Sequence, residues 1–346
     1  MGTTMTSIAE RAEVSVAVVS RLLRGDPTLR ISEQRRQQIF RISTELGGVK
    51  ARVRKRRLTH AVMVPINRIF SPASIKIVLS ESEQFRCLEA KLKSQGFRLH
   101  MSFFDPGEEL HIYESLVRQP RACDGVLVLS GVANEELAQL LGLNRMPHVA
   151  FDSDAERYAI NTVRVQNAEG VRQAVAHLHE LGHRNIGFVG PRDSNRYPLM
   201  VAAQAGLQLS MDELFNCWIP LISEPTQENW RQATIGPFSQ WLTRRPASAL
   251  ICSNDAIAYG VMDAMARAGL RVGVDLSLVG HDNTEERGSL RTDHPILTTL
   301  DNPTDKIGNR AAELLLNQIL HGQTQIVHER LPARLIVRGS TGPCVQ

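Results

Sequence analysis

The chain has 346 residues, of which 42% are hydrophobic and 22% charged, and its formal net charge is +4. This length exceeds one compact core, and the composition excludes a disordered or fibrous chain. No run approaches the roughly 18 apolar residues that a membrane-spanning helix requires, and the N-terminus lacks the apolar region of a secretory signal. We therefore expect a cytoplasmic protein with one small module and two medium-sized lobes.

Positive charge is concentrated in the N-terminal part of the chain. Residues 1–58 hold thirteen Lys and Arg against five Asp and Glu, and 27 basic and 31 acidic residues follow. A basic head on a mildly acidic body is typical of a phosphate-binding module attached to a domain that binds another ligand.

Residues 7–24 predict two short helices joined by a tight turn, with Ser15 as the N-cap of the second helix. The predicted buried stripe of that helix is Val18, Val19, Leu22 and Leu23. Its open face then carries Val16, Ala17, Ser20 and Arg21. These side chains are small or can form hydrogen bonds, so the helix suits a major groove about 12 Å wide. The alternative is a surface helical hairpin without a DNA partner.

A third helix is predicted over residues 31–46, with Ser32 as its N-cap and Gly47 at its end. Its apolar positions Ile39, Ile42 and Leu46 can pack on the first two helices. Residues 1–48 therefore form a complete small all-α headpiece, and residues 49–59 form a linker.

Short apolar strands alternate with amphipathic helices from Ala61 onward. The first series has predicted strands at 61–64, 98–104, 125–129 and 148–152 and helices at 80–96, 108–119 and 135–141. The second begins near residue 165, with strands at 185–189, 248–252 and 276–279 and helices at 167–181 and 256–269. This alternation predicts parallel sheets covered by helices on both faces. The fold class is thus a helix-turn-helix headpiece plus an α/β core of two doubly wound lobes.

Polar side chains follow three of the predicted strands. Asp152 ends one, Asn254 and Asp255 follow another, and Asp282 and Asn283 follow a third. Ligands of open α/β sheets bind beyond the carboxyl ends of the strands, which favours a binding site in a cleft between lobes. The alternative is that these residues are helix caps and turn residues.

Motifs of catalysis and of metal binding are lacking in the sequence. We find no dinucleotide-binding glycine pattern, no phosphate-binding loop and no nucleophile elbow. The five cysteines are scattered without metal-ligand spacing, which predicts reduced thiols. His179 and His183 have a spacing that can share a metal, but histidines that compensate a helix dipole explain them as well. We expect no enzyme, no cofactor and no metal.

Four segments together resemble the lactose repressor / galactose repressor family of bacterial transcription regulators. They are residues 8–21, residues 177–190, residues 253–283, and the C-terminal set 297–300, 308–315 and 331–340. The resemblance implies a headpiece, a hinge and a core related to periplasmic sugar-binding proteins. It implies lobes that are discontinuous in sequence, 60–162 with about 302–327 and 163–301 with about 328–340.

The resemblance also assigns site residues. The DNA-contacting positions that it implies are Thr4, Ser15, Val16, Ala17, Ser20, Arg21, Arg24, Arg54 and Leu58, of which Val16, Ala17 and Arg21 match those that read base edges. The effector-contacting positions are Asp152, Arg196, Trp230, Asn254 and Asp282. Trp230 is expected to stack on a polyhydroxylated ligand, and its alternative is a core position.

The chain departs from the family pattern at three places. Glu13 stands where the family has glycine, so a positive φ there would strain it by roughly 1 kcal/mol. Gly48–Ala51 replaces the usual hinge entry, and Arg57 falls on the leucine that kinks DNA, with Leu58 one place later. Arg196 lies two places before the expected effector arginine, where Pro198 stands.

These observations predict a nucleoid-associated repressor that binds a palindromic operator as a dimer and is controlled by a sugar-like effector. No leucine heptads follow residue 340, which favours a dimer over a coiled-coil tetramer. The alternatives are a DNA-binding regulator controlled by a protein partner and a solute-binding protein.

Overall fold

A computed structural model describes residues 5–23, 29–45, 58–67, 82–119, 122–129, 132–151, 155–222, 226–287 and 292–344. The chain falls into two compact units, one of residues 1–66, 96–161 and 315–326, the other of residues 67–95, 162–314 and 327–346. Neither unit is a continuous stretch of sequence. No helix among the described residues is long and apolar enough to span a membrane.

The helices and strands follow the predicted alternation. The helices are α1 Met5–Arg11, α2 Val16–Leu23, α3 Glu33–Glu45, α4 Glu83–Ser94, α5 Glu109–Arg118, α6 Glu135–Leu143, α7 Asn167–Glu180, α8 Arg196–Gly206, α9 Gln227–Leu242, α10 Asp255–Arg267, α11 Thr284–Arg287 and α12 Thr304–His321. The strands are β1 Ala61–Asn67, β2 Arg98–Phe104, β3 Gly125–Val128, β4 His148–Phe151, β5 Thr162–Gln166, β6 Ile186–Gly190, β7 Cys217–Trp218, β8 Ala249–Cys252, β9 Ser277–His281, β10 Thr298–Asp301, β11 His328–Pro332 and β12 Arg334–Ile336.

The first three helices form the predicted all-α headpiece. Their shared core includes Ile8, Ala12, Val19, Leu22, Ile39 and Ile42. The hydroxyl of Ser32 accepts a hydrogen bond from the Arg35 amide at 3.3 Å, as expected of an N-cap. The predicted contributions of Leu46 and Gly47 lie outside the described residues.

Two six-stranded sheets form the α/β core, as predicted. The first has the strand order β11-β5-β4-β3-β1-β2, and the second has the order β12-β10-β9-β8-β6-β7. The pairs whose register is described are parallel, apart from the antiparallel pair of β10 and β12. Because parallel strands end at the same edge, residues that follow β8, β9 and β10 meet at one edge of the second sheet.

Some elements do not appear among the predicted ones. Helix α9 contains Gly236 and Pro237, which interrupt a helical pattern, yet it buries Phe238 and Trp241 against the core of the second sheet. Strands β5 and β11 pair in parallel over five residues in the first sheet. Pairing between segments so far apart in the chain leaves no local signal in the sequence.

Candidate DNA-binding surface and candidate ligand site

Helix α2 presents an open face of the predicted kind. The Val18 amide donates a hydrogen bond to the hydroxyl of Ser15 at 3.2 Å, so Ser15 is the N-cap. Val19 and Leu22 are buried in the headpiece core. Val16 is 43% exposed, Ala17 and Arg21 are exposed, and Ser20 is half-buried. The helix thus offers one apolar contact, one small residue and one cation on the same open side.

The turn between α1 and α2 contains a non-glycine residue in the left-handed region. Glu13 has a φ of 53°, so the expected strain at the family's glycine position is present. The Glu13 and Val14 amides donate hydrogen bonds to Glu10 and Ala9 carbonyls at 3.2 and 3.0 Å. The Arg35 guanidinium donates to the Glu13 carbonyl at 3.4 Å. These bonds hold the turn in spite of its strain.

Of the remaining predicted DNA-contacting residues, the structure describes Leu58 alone. Thr4, Arg24 and Arg54 lie outside the described residues, and Arg57 does too. Leu58 is described and half-buried just before β1. The roles of these residues therefore stay predictions.

A closed ring of four polar side chains lies at the carboxyl edge of the second sheet. Arg196 Nε donates a hydrogen bond to His281 Nδ1 at 2.9 Å, and His281 Nε2 lies 3.2 Å from Asn302 Oδ1. Asn302 Nδ2 donates to Asp282 Oδ1 at 3.2 Å, and Arg196 closes the ring with an ion pair to Asp282 at 3.6 Å. Two predicted effector residues, Arg196 and Asp282, are therefore brought together across 86 residues of sequence.

The electrostatics of the ring define the state of His281. Burial, followed by the positive charge of Arg196, holds the pKa of His281 well below its usual value. A neutral imidazole that accepts from Arg196 through Nδ1 carries its proton on Nε2, from which it donates to Asn302. The buried His281 and Asn302 thus align a partly exposed guanidinium with a partly exposed carboxylate.

Asp255 lies beside this ring in the interior. Its carboxylate accepts hydrogen bonds from the Thr284 amide at 2.7 Å, the Thr284 hydroxyl at 3.0 Å and the Thr299 hydroxyl at 2.7 Å. Burial, then the negative charge of Asp282, raises the pKa of Asp255 to about 7, against the smaller opposing effect of these bonds. Asp255 therefore ties the segment after β9 to β10 and to the start of α10.

The segment after β9 is strained where it carries Asp282. Asp282 and Asn283 have φ values of 108° and 53°. Asn283 donates to Asp301 Oδ1 at 3.0 Å and accepts from Arg338 at 2.7 Å. Left-handed non-glycine residues persist where surrounding bonds over-determine them, and they concentrate at ligand sites. The strain thus supports a functional interpretation of this segment.

The other predicted effector residues have mixed positions. Asn254 is the N-cap of α10, since its side chain accepts a hydrogen bond from the Ile257 amide at 2.9 Å, in agreement with the cap alternative. Trp230 is half-buried and packs against the core cluster of the second sheet, as expected if it is a core residue. Asp152 lies outside the described residues. The ligand contacts of these three residues stay predictions.

Sequence reasoning missed His281 and Asn302 as site residues. His281 is the last residue of β9, and Asn302 directly follows β10. Polar residues recur directly after strands, and Asn302 fits this pattern, so it could have been found. His281 lies within a strand, where the sequence gives no comparable signal. His183, considered as a metal ligand, is instead buried among Ser248, Ser277 and the Gly342 carbonyl. Within the described ranges, no group of His, Cys, Asp and Glu is arranged to hold a metal ion.

Comparisons with known proteins agree with this architecture. A family model described as a periplasmic binding protein-like domain matches residues 175–341. The chain is 29% identical to the HTH-type transcriptional repressor PurR of Escherichia fergusonii, over 97% of this chain and 96% of the repressor. It is 26% identical to the HTH-type transcriptional repressor MelR of Bacillus subtilis, over 97% of this chain and 96% of MelR.

Solved structures match over nearly the whole length. A complex of the transcriptional regulator CelR with cellobiose has a TM-score of 0.63 and 23% identity, covering 98% of this chain and 99% of that one. The lac repressor dimer bound to operator and the anti-inducer ONPF has a TM-score of 0.63 and 22% identity, covering 99% and 100%. These likenesses extend over both the headpiece and the core.

Proposed function

Since the chain belongs to the lactose repressor / galactose repressor family of transcription regulators, we propose that it is a repressor that binds operator DNA and is controlled by a small ligand. The open face of α2 carries this proposal. A capped helix with Val16, Ala17 and Arg21 exposed has the shape and side chains that read base edges in a major groove. The basic residues around it supply phosphate contacts.

The ligand belongs at the ring of Arg196, His281, Asn302 and Asp282. A guanidinium beside a carboxylate donates and accepts hydrogen bonds at once, which suits a polyhydroxylated compound such as a sugar or nucleoside. Relatives in solved structures hold cellobiose, ribose and glucose. Asn254, Trp230 and Asp152 complete the proposed site. The lobe boundaries 60–162 with 302–327 and 163–301 with 328–340 belong to the same proposal.

The regulator acts as a homodimer in this proposal. Two headpieces must be spaced to match two half-sites, so a ligand that changes the spacing changes operator affinity. Coupling of this kind is typically worth about 1–3 kcal/mol. Sedimentation at micromolar concentration tests the dimer, and a tetramer there would contradict it.

The test is selection of DNA from a random library by the full chain, followed by affinity measurements at two salt concentrations. Arg21→Ala is expected to cost about 1–3 kcal/mol on the selected operator and to relax specificity at one position. Arg54→Ala is expected to weaken all DNA sequences similarly. Arg118→Ala, on an exposed helix of the core, is the matched control with unchanged affinity. Equal binding of all library DNA would overturn the proposal.

The same selected operator tests control by a ligand. Cellobiose, ribose, glucose and a set of nucleosides are added one at a time to the complex. One of them is expected to shift operator affinity in the wild type and to have no effect in Arg196→Ala or Asp282→Asn. If none of them shifts it, a protein partner replaces the small ligand as the signal.

A further inference from the structure

A buried carboxylate holds the junction between the predicted linker and the first sheet. Asp124 accepts hydrogen bonds from the Thr59 amide at 2.9 Å, the Thr59 hydroxyl at 2.9 Å and the His60 amide at 2.7 Å. Thr59 is the last residue of the predicted linker 49–59, and β1 begins two residues later. Asp124 is 2% exposed and directly precedes β3. One side chain therefore fixes the point where the linker joins the core.

Further bonds tie this junction to both neighbouring strands. The Arg98 amide at the start of β2 donates to the His60 carbonyl at 2.9 Å, and the Asp124 amide donates to the Ala61 carbonyl at 2.8 Å. The imidazole of His60 packs on the ring of Phe97, with ring centroids 5.1 Å apart. The junction is thus bonded on the β2 side and on the β3 side.

The backbone at the junction is strained. His60 has a φ of 59°, a left-handed conformation that is unfavourable for a non-glycine residue. Such a conformation persists only where its surroundings over-determine it. Hydrogen bonds to a charged carboxylate are roughly twice as strong as neutral ones, so Asp124 is the main source of that constraint.

We propose that Asp124 is a positioning residue for operator binding, which sets the direction in which the linker leaves the first sheet. This inference rests on the proposed function. When Asp124 fixes the junction, the position of each headpiece depends on the position of its core. The dimer then binds tightly only to operators whose two half-sites have the matching spacing. When the junction is not fixed, the headpieces can bind half-sites at several spacings. A conformational change of the core then no longer alters the affinity for DNA.

The test measures how strictly the full chain reads spacing. The DNA probes are the selected operator, the same operator with two base pairs inserted at its centre, and a single half-site. The wild type is expected to discriminate strongly against the insertion. In Asp124→Asn, an NH₂ group replaces one acceptor oxygen and faces the hydrogen-bond donors of Thr59 and His60. The discrimination of this variant against the insertion is expected to fall about tenfold, or ~1.4 kcal/mol. Half-site affinity stays unchanged, because the headpiece itself is intact.

Two variants at Thr59 keep the test independent of the folding of Asp124→Asn. Thr59→Val removes the hydroxyl, which donates to Asp124 at 2.9 Å and accepts from the Ala61 amide at 3.3 Å, and it keeps the two amide bonds to Asp124. It is expected to lower discrimination by a smaller factor. Thr59→Ser restores the hydroxyl and is expected to behave like the wild type. Tyr113→Phe is the matched control, because it removes one buried hydrogen bond, to the Leu127 carbonyl, away from the junction. It is expected to leave discrimination unchanged.

The outcomes separate this inference from the proposed function. If the wild type discriminates while Asp124→Asn and Thr59→Val discriminate equally well, Asp124 has no positioning role. If Tyr113→Phe loses discrimination as much as Asp124→Asn, general loss of stability is the cause and the inference fails. If the wild type selects no DNA or ignores the insertion, the proposed palindromic operator itself is wrong.

Discussion

Asp255 has an unusual charge state for a carboxyl group in a folded protein. Its burial is the largest cause that raises its pKa to about 7, and the negative charge of Asp282 is the second. The ring beside it contains the opposite case, since burial keeps His281 neutral. Both shifts have the same physical origin, which is the cost of a charge in a medium of low dielectric constant.

The raised pKa of Asp255 predicts a stability that falls as the pH rises. Between the ordinary value of 3.8 and about 7, the folded protein holds a proton that the unfolded chain has lost. The free energy of unfolding therefore decreases with pH through this window. We expect the wild type to lose about 1 kcal/mol or more relative to Asp255→Asn between pH 5 and pH 8, measured by urea unfolding. Parallel pH profiles of the two proteins would contradict the shift.

At the scale of elements, the turn between α1 and α2 stores strain at Glu13. Glu13→Gly removes the contact of Cβ with the backbone, which is worth roughly 1 kcal/mol, and glycine entropy offsets part of that gain. We expect a net stabilisation of about 0.5 kcal/mol. Slower amide hydrogen exchange at the buried headpiece residues Ile8 and Val19 measures it. Glu13→Ala keeps the Cβ, so an equal effect in that control would rule out strain as the cause.

The cap of α10 separates a structural role from a ligand role. Asn254→Ala is expected to cost about 1 kcal/mol, whereas Asn254→Ser keeps a capping oxygen and most of the stability. Both variants lose the side-chain amide, so both are expected to weaken the ligand-induced shift of operator affinity. Asn134 caps α6 in the same way, with a bond of 2.8 Å from the Leu137 amide. Asn134→Ala is therefore the control that loses a similar amount of stability without a change near the proposed ligand site. If Asn254→Ser responds to the ligand like the wild type, Asn254 acts only as a helix cap.

Elements were predictable where their signals are local. Ser15 and Ser32 are helix N-caps, and each accepts a hydrogen bond from the amide three residues later. The apolar residues of α2 recur at helical spacing. Helix α9 was missed because Gly236 and Pro237 interrupt its pattern. Its burial of Phe238 and Trp241 against the core outweighs that weak propensity, and no window of local sequence reports such packing.

At the scale of the whole molecule, the order of the strands decides which residues meet. The second sheet places β8, β9 and β10 side by side, so residues after these strands share one edge. The recurring polar residues after predicted strands indicated that edge, and Asp282 is indeed there. Arg196 begins the helix that follows β6, and it reaches His281 at the end of β9 because β6 and β9 both pair with β8.

The sequence by itself determined the headpiece, the α/β class of the core and the sheet edge at which the proposed ligand site lies. These follow from hydrophobic periodicity, helix caps and the alternation of strands and helices, all of which act over a few residues. Only the tertiary structure decided that His281 and Asn302 join Arg196 to Asp282, and that Asp124 holds Thr59 and His60. Those partners are 20 to 85 residues apart. Their contacts depend on sheet order and register, because hydrogen bonds between distant residues form only after the strands between them have paired.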